Sequence, residues 1–244
     1  MSRPSGKIHM LQRHHHLLFN TDCISKPDEQ WFEPQHWLSA GKAHSAQGGR
    51  GNVLFINDAD QHWVLRHYRR GGLIGKLIAD RYLWTGAEHT RAFRELNLLM
   101  HLRQQGLPVP VPVAARYQRQ GLLYRADLIT AVVPHSRTLA ACLIDGTLPL
   151  TLWQEVGVTI ARFHAAGVQH ADLNANNILI DAQQKVWLLD FDRGRLRAAQ
   201  RDWTNAVLAR LLRSLNKLRE RKGLQFTDAG WQALCAAHDA ALKT

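Results

Sequence analysis

Acidic residues and cysteines are both scarce in this chain. Its 244 residues include 20 Asp and Glu against 31 Lys and Arg, so the formal net charge is +11. The three cysteines, Cys23, Cys142 and Cys235, lie far apart and form no Cys-x-x-Cys pair. Scattered thiols of this kind favour a reduced, cytosolic compartment, in which they act as small apolar side chains.

Long apolar runs are also missing. No stretch approaches the roughly 18 apolar residues of a membrane-spanning helix. The segment from Met1 to Asn20 lacks the continuous apolar centre of a secretory signal. We therefore expect no membrane-spanning segment, and attachment to a membrane surface stays open. The positive charge indicates an anionic partner, such as nucleic acid, anionic lipid headgroups or an acidic substrate, and does not choose among them.

A polar loop followed by two short apolar stretches is the most informative region of the sequence. The loop runs from His170 to Asn177, and the apolar stretches, 178–180 and 186–189, are separated by a polar turn. This pattern predicts a β-hairpin. We expect the hairpin to bring Asp172, Asn177 and Asp190 to one end of a small sheet. Two carboxylates and an amide there suit Mg²⁺, with one carboxylate left to accept a hydroxyl proton.

The spacing of these residues is that of a phosphoryl-transfer catalytic loop. The pattern His170-x-Asp172-x4-Asn177, followed by Asp190-Phe191, resembles the protein-kinase-like fold. This resemblance implies that Asp172 is the catalytic base and that Asn177 and Asp190 bind Mg²⁺. The alternative interpretation is a polar surface loop beside an ordinary hairpin.

A glycine-rich turn lies upstream, where the kinase pattern places a lid over the nucleotide phosphates. Gly48, Gly51 and Val53 match that pattern, whereas Ala46 replaces its first glycine. Glycines let backbone N–H groups approach phosphate oxygens closely. We therefore predict that Gly48 and Gly51 contact the phosphates of ATP.

An arginine and a glutamate complete the predicted nucleotide site. Arg66 lies in a predicted strand, 63–68, where protein kinases use a lysine to hold the α- and β-phosphates. Glu95 lies beside an apolar row of a helix predicted over 90–105, and a carboxylate there needs a cation. We predict that Arg66 is this cation. A solvent-facing Arg66 and a surface Glu95 are the alternatives.

The C-terminal half predicts helices and a small acceptor. A helix is expected over 151–166, beginning at a capping box formed by Thr151 and Gln154. An amphipathic helix is expected over 203–222, with its leucines inside and Arg210, Arg213 and Lys217 outside. The segment after Asp192 is short and no Ala-Pro-Glu follows it, so a small or lipid-linked acceptor fits better than a protein.

Several stretches beyond the catalytic loop carry a more specific likeness: Leu65-Arg66-His67-Tyr68 with Arg70-Gly71-Gly72, Asp80-Arg81-Tyr82, Gly106-Leu107-Pro108-Val109-Pro110, His170 to Leu179, and Trp187-Leu188-Leu189-Asp190-Phe191-Asp192. With these stretches the sequence resembles the lipopolysaccharide kinases of Gram-negative bacteria, specifically those that act on 3-deoxy-D-manno-octulosonic acid (Kdo). The likeness implies ATP-dependent phosphorylation of the 4-hydroxyl of Kdo in Kdo-lipid IVA. It also implies a peripheral protein on the cytoplasmic side of the inner membrane, facing an anionic membrane surface.

The fold class that follows is α+β, as a two-lobed protein-kinase-like fold. We expect a small β-rich N-lobe over 1–130 and a mainly helical C-lobe over 131–244. Three residues depart from the general protein-kinase pattern: Arg66 replaces a lysine, Asp192 stands in place of a glycine, and Asn174 stands where a lysine often touches the transferred phosphate. Another cation, or the metals alone, must then offset that charge.

Two competing functions remain at this point. One is a kinase of heptose or another small sugar, including an aminoglycoside-type phosphotransferase of the same fold. The other is a pseudokinase or basic binding module, which the charge and Arg66 favour. Because the predicted base and both predicted metal ligands are present, we expect an enzyme, and we expect no nucleic-acid partner.

Overall fold

A computed structural model describes residues 6–12, 15–45, 53–59, 61–69, 80–198 and 201–243. Within these ranges the protein is a mixed α/β chain with a large antiparallel sheet and six α-helices. The predicted mixture of helices and strands is therefore confirmed. Gly48 and Gly51 lie outside the described residues. The chain forms two compact units, one of residues 1–101 and 110–132 and the other of residues 102–109 and 133–244.

The first unit is built on an eight-stranded antiparallel sheet. The strands are β1 (Gly6–Gln12), β2 (His15–Asn20), β3 (Ala43–Ser45), β4 (Val53–Asp58), β5 (Gln61–His67), β6 (Tyr82–Leu83), β7 (Pro112–Gln120) and β8 (Leu123–Ala131). Their order is β1-β2-β7-β8-β5-β4-β3, and β6 pairs with β8. Strand β5 pairs with β8 so that Arg66 lies opposite Leu128.

Alternating burial explains how this sheet holds its core. In β4, Leu54 and Ile56 point inward while their neighbours are more exposed, as expected of a strand with one buried face. A short helix, α1 (Pro34–Ser39), buries Trp37 in the same apolar cluster. Helix α2 (Arg91–Gln104) packs by Phe93 on Tyr117 of β7, with ring centroids 5.2 Å apart.

The second unit contains the remaining helices and short strands. Its helices are α3 (Leu139–Asp145), α4 (Leu150–Ala165), α5 (Arg201–Lys222) and α6 (Asp228–Ala241). Its strands are β9 (Arg137–Thr138), β10 (Val168–Gln169), β11 (Ile178–Ile180), β12 (Val186–Leu188) and β13 (Arg195–Leu196). Strands β12, β11 and β9 form one antiparallel sheet, and β10 pairs with β13. None of the described helices is long and apolar enough to span a membrane.

The start of α4 differs from the prediction. Pro149 occupies the N-cap position in an extended conformation, and no side chain caps the helix. Proline fixes the backbone ahead of the first turn and the helix begins at Leu150. Thr151 is therefore already inside the first turn, and the predicted capping box with Gln154 is wrong.

Close packing of α4 against α6 depends on one glycine. A Cβ added to Gly157 would lie 2.2 Å from the backbone oxygen of Leu234 in α6. Real Cβ atoms do not approach a carbonyl oxygen so closely, because the interior is already packed to crystal density. The two helices therefore reach their observed separation only because residue 157 has no side chain.

Candidate active site

The predicted hairpin is present in the second unit. Strands β11 and β12 pair with Ile178 opposite Leu188, and the turn between them is held by Asp181, whose Oδ1 accepts from the backbone of Gln183 and Lys185. At the other end, the backbone N–H of Leu189 donates to the carbonyl of Asn177 (2.9 Å). Asp190 follows directly, so the structure places it and Asn177 at the same end of the hairpin.

Asp172 is joined to that end through its backbone. Its carbonyl oxygen accepts from Nδ2 of Asn174 (2.9 Å) and from Nδ2 of Asn177 (3.0 Å). An amide whose nitrogen is committed to a carbonyl leaves its oxygen pointing elsewhere, where it is suited to a cation. The hairpin end thus brings Asp172, Asn177 and Asp190 together, and their catalytic and metal-binding roles stay predictions.

His170 links the loop to the residue that follows β12 through two hydrogen bonds to the backbone. Its Nε2 lies 2.7 Å from the carbonyl of Leu189, and its Nδ1 accepts from the backbone N–H of Asp172 (3.1 Å). Burial lowers the pKa of His170, partly offset by the bond to Leu189. A neutral imidazole has one donor and one acceptor nitrogen, which is what these two contacts require. His170 therefore ties the loop to the strand as a neutral side chain.

Asp190 adopts an unusual backbone conformation. Its φ is +59°, a left-handed value that few residues other than glycine adopt. The next residue, Phe191, is 1% exposed and packs on His170 and on Phe163, with ring centroids 4.8 and 5.6 Å away. Such strain persists only where the surroundings fix it, and it is frequent at functional sites. The packing of Phe191 supplies that support here.

An arginine that was expected to face solvent contacts the predicted base. Arg210 of α5 donates from Nε (2.8 Å) and Nη2 (2.6 Å) to Oδ1 of Asp172. One helical turn later, Oγ of Ser214 lies 3.4 Å from the backbone nitrogen of Ala175. The sequence placed Arg210 in a solvent-facing row and missed this contact. The i, i+4 relation of Arg210 to Ser214 places both on one helix face, but it does not indicate which loop that face contacts.

The residues at the hairpin end fit a hard cation. Mg²⁺ prefers carboxylate and amide oxygens, and Asp190 and Asn177 offer one of each at the same end of the sheet. Within the described ranges, no group of three or more His, Cys, Asp or Glu side chains has the arrangement of a metal site. A pair of one Asp and one Asn is not a group of that kind, because it has fewer members and includes an amide. The two residues would hold the ion with further ligands from substrate phosphates, as Mg²⁺ sites commonly do.

The first unit brings Arg66 and Glu95 into contact. Nη2 of Arg66 pairs with Oε2 of Glu95, whose side chain is only 2% exposed. The hydroxyl of Tyr68 donates to the same Oε2 (2.6 Å) and accepts from Arg66 (3.0 Å). Burial raises the pKa of Tyr68 well above its ordinary value, with a further contribution from Glu95. The neutral phenol thus links the cation to the carboxylate.

Tyr68 was missed as a member of this group. Residues two apart in an extended segment share a face, so its spacing from Arg66 was a usable signal. Arg91 adds a second cation nearby, with its guanidinium 5.3 Å from the Tyr68 ring centroid. The structure places Arg66, Tyr68 and Glu95 together, while the role of Arg66 and Glu95 in nucleotide binding stays a prediction.

Comparison with known proteins adds the family. The model of the "Lipopolysaccharide kinase (Kdo/WaaP) family" matches residues 34–238. The 3-deoxy-D-manno-octulosonic acid kinase of Stenotrophomonas maltophilia (strain R551-3) is 44% identical over 227 residues, 92% of this chain and 90% of the relative. That of Vibrio vulnificus (strain YJ016) is 39% identical over 223 residues, 91% and 94% of the two chains. That of Xylella fastidiosa (strain 9a5c) is 41% identical over 226 residues, 92% and 90%.

A family model that covers most of the chain, and relatives this similar over nearly their whole length, agree with the catalytic-loop pattern of the second unit. The chain therefore belongs to the lipopolysaccharide kinase (Kdo/WaaP) family and is a phosphotransferase with an alcohol group as acceptor.

Proposed function

We propose that this protein transfers the γ-phosphoryl group of ATP to the 4-hydroxyl of Kdo in Kdo-lipid IVA, a step of lipopolysaccharide inner-core biosynthesis. The observation that carries the proposal is the convergence of Asp172, Asn177 and Asp190 at one end of the β11–β12 hairpin. The relatives named as Kdo kinases support the choice of acceptor.

Asp172 acts as the catalytic base in this proposal. Its carboxylate accepts a hydrogen bond from the sugar hydroxyl and orients it in line with the γ-phosphorus. It takes the proton as the new O–P bond forms and the bond from the γ-phosphorus to ADP breaks. His170 and the two asparagine amides support this role, because they fix the loop backbone on both sides of Asp172. Phosphoryl transfer needs positioning and charge stabilisation more than covalent help.

Asn177 and Asp190 hold Mg²⁺ in the same proposal. When bound, the ion would supply positive charge that offsets the negative charge developing as the phosphoryl group leaves. The left-handed backbone at Asp190 and the buried Phe191 keep that carboxylate at the hairpin end. Asp192 adds a further carboxylate two residues later.

Residues of the first unit hold the nucleotide. We assign Arg66 to the α- and β-phosphates, since a guanidinium can donate to two oxygens at once. Glu95 and Tyr68 support that role by fixing the guanidinium from one side. Gly48 and Gly51, outside the described residues, would supply backbone N–H groups to the phosphates. We further propose the two-lobed protein-kinase-like architecture, with lobes of residues 1–130 and 131–244.

The acceptor and the location follow from charge and from the family. A net charge of +11 suits a phosphorylated, carboxylated glycolipid in an anionic bilayer. We propose peripheral attachment to the cytoplasmic side of the inner membrane, with the basic segment 193–222 as one contact surface. No nucleic-acid partner is part of this proposal.

The test is mass spectrometry of defined acceptors after incubation with the protein and MgATP. Kdo-lipid IVA should gain one phosphate group, and tandem fragmentation should place it on the Kdo 4-hydroxyl. Heptosylated acceptors with the Kdo 4-hydroxyl blocked should gain none. Phosphate on heptose alone would replace the Kdo assignment with the heptose kinase alternative, and no Mg²⁺-dependent transfer to any acceptor would favour a pseudokinase.

A further inference from the structure

The carboxylate of Asp172 is held asymmetrically. Both Nε and Nη2 of Arg210 donate to Oδ1, at 2.8 and 2.6 Å. The other oxygen, Oδ2, accepts no hydrogen bond from the residues that the structure describes. A carboxylate that is held through one oxygen has its rotation restricted, while its second oxygen stays available to another donor.

The helix that carries Arg210 is firmly seated in the second unit. Leu211 and Leu215 of α5 are fully buried, and Trp203 at the start of the helix donates from Nε1 to the carbonyl of Ala198 (2.9 Å). Ser214 meets the backbone of Ala175 in the loop that carries Asp172. The guanidinium therefore approaches Asp172 from a rigid element, which is the condition for precise placement of a functional side chain.

Charge also distinguishes this loop. Asn174, two residues after Asp172, is neutral and uses its amide nitrogen on the Asp172 carbonyl. It therefore brings no cation to the carboxylate. Arg210 brings one, from a helix that begins about thirty residues later in the sequence.

We propose that Arg210 is the positioning residue of the catalytic base, and this inference rests on the proposed function. By binding Oδ1 it fixes the carboxylate rotamer and leaves Oδ2 directed to the acceptor hydroxyl. The hydroxyl donates to Oδ2, and its proton moves there as its oxygen attacks the γ-phosphorus and the bond to ADP breaks. Arg210 transfers no proton itself.

Substitution of Arg210 should isolate this role. The side chains of Arg210 and Asp172 are 48% and 55% exposed, and ion pairs at such exposure contribute little to stability. The variant Arg210→Met keeps much of the apolar stem and removes both donors. Arg137, which forms a similarly exposed ion pair with Asp145 in the same unit, offers Arg137→Met as a matched control that removes the same charge.

The expected result is a loss of turnover without a loss of nucleotide binding. Arg210→Met should lower kcat about 10- to 100-fold, the scale of a misplaced reactive group, with the KM for ATP and the melting temperature near those of the wild type. The kcat of Arg210→Lys should lie between those of the wild type and Arg210→Met, because an ammonium can supply one of the two hydrogen bonds to Oδ1. Guanidinium ion should restore part of the activity of Arg210→Ala and should leave the activity of the Arg137→Met control unchanged.

A crystal structure of Arg210→Met gives a readout that needs no activity. The Asp172 carboxylate should occupy more than one rotamer in that variant and a single one in the wild type. A wild-type kcat in Arg210→Met, or a higher one, overturns the inference and leaves the proposed function standing. If the wild type phosphorylates no Kdo acceptor, the proposed function fails. In that case the Asp172 rotamer in Arg210→Met tests the positioning role by itself, and a single unchanged rotamer overturns that role as well.

Discussion

In the first unit, Arg66 and Tyr68 both donate to one carboxylate oxygen of Glu95. The sequence predicted the contact between Arg66 and Glu95. Glu95 was predicted to need a cation because it lies beside an apolar row, and Arg66 was the candidate. The structure brings the two together and adds the buried hydroxyl of Tyr68. Spacing in the sequence indicates which residues share a face of a strand or helix. It does not indicate which donor a buried carboxylate accepts from, so the contact of Tyr68 with Glu95 was not predicted.

Replacing Glu95 by alanine should destabilise the protein. The change leaves the Arg66 guanidinium and the buried Tyr68 hydroxyl without their common acceptor. We expect the free energy of unfolding to fall by about 1–3 kcal/mol, the cost of unsatisfied buried groups, in urea titrations. Glu88→Ala, at an exposed position of the same unit, is the control. Equal stability of the two variants would contradict the buried role of Glu95.

A buried histidine should make stability depend on pH. His164 is 1% exposed, and burial together with His238 lowers its pKa from 6.5 to about 3. The unfolded chain therefore takes up a proton first as the pH falls. The contribution of His164 is fully present above about pH 6.5 and is lost progressively towards pH 3.

Urea unfolding followed by circular dichroism between pH 7 and pH 4 measures this loss. Below pH 6.5, His164 should contribute a decline of about 1.4 kcal/mol per pH unit. In His164→Leu the slope should be shallower by that amount. His135→Asn, at an exposed position of the same unit, should keep the wild-type slope. An unchanged slope in His164→Leu would refute the neutral, buried state of this histidine.

At the scale of elements, periodicity located the helices and failed at one of their ends. The helix predicted over 151–166 is α4, Leu150–Ala165, since its apolar spacing follows directly from burial of one face. Its start was mispredicted, because a Thr-x-x-Gln pattern is only a capping box if the threonine precedes the first turn. Pro149 moves the start by one residue. Strand order was not predictable either, because β2 pairs with the distant β7, and local pattern does not encode that partner.

The close contact between α4 and α6 predicts that a larger residue at position 157 lowers the stability of the protein. Gly157→Ala adds a methyl group that would lie 2.2 Å from the Leu234 carbonyl oxygen, so the helices must separate. Alanine gains up to about 1 kcal/mol of helix propensity, but overpacking costs about 1–3 kcal/mol. We expect a net loss of stability of about 1 kcal/mol or more in a thermal melt.

Gly146→Ala is the matched control for this change. A Cβ at Gly146 would meet no atom within 4 Å, and its φ of 169° is extended backbone that any residue adopts. Its melting temperature should stay near that of the wild type. Equal melting temperatures for the two variants would show that α4 and α6 do not pack as closely as described.

For the whole molecule, amino-acid composition predicted the kind of partner but did not predict the order of strands and helices in space. The charge of +11 predicted an anionic partner without naming it. The hairpin residues Asp172, Asn177 and Asp190 could be grouped from sequence because the turn between the strands is short. Arg210 could not be added to them, because its contact joins a helix to a loop 38 residues away.

Electrostatic attachment to membranes should depend on salt. Binding of the protein to vesicles that contain anionic lipid should weaken steeply between low and physiological ionic strength, since the screening length falls to about 8 Å there. Vesicles of zwitterionic lipid should bind little at any salt concentration. Sedimentation of the protein with each vesicle type measures this, and salt-independent binding would contradict an electrostatic contact.

The proposed function depends above all on Asp172 acting as the base of a Kdo phosphotransferase. The most direct measurement is the initial rate of phosphoryl transfer from MgATP to Kdo-lipid IVA by the wild type and by Asp172→Asn, with the product counted by mass spectrometry. We expect the wild type to add one phosphate. Asp172→Asn should reduce turnover by about 10²–10⁴-fold while it still binds MgATP. Near-normal turnover in Asp172→Asn would contradict this account of the site.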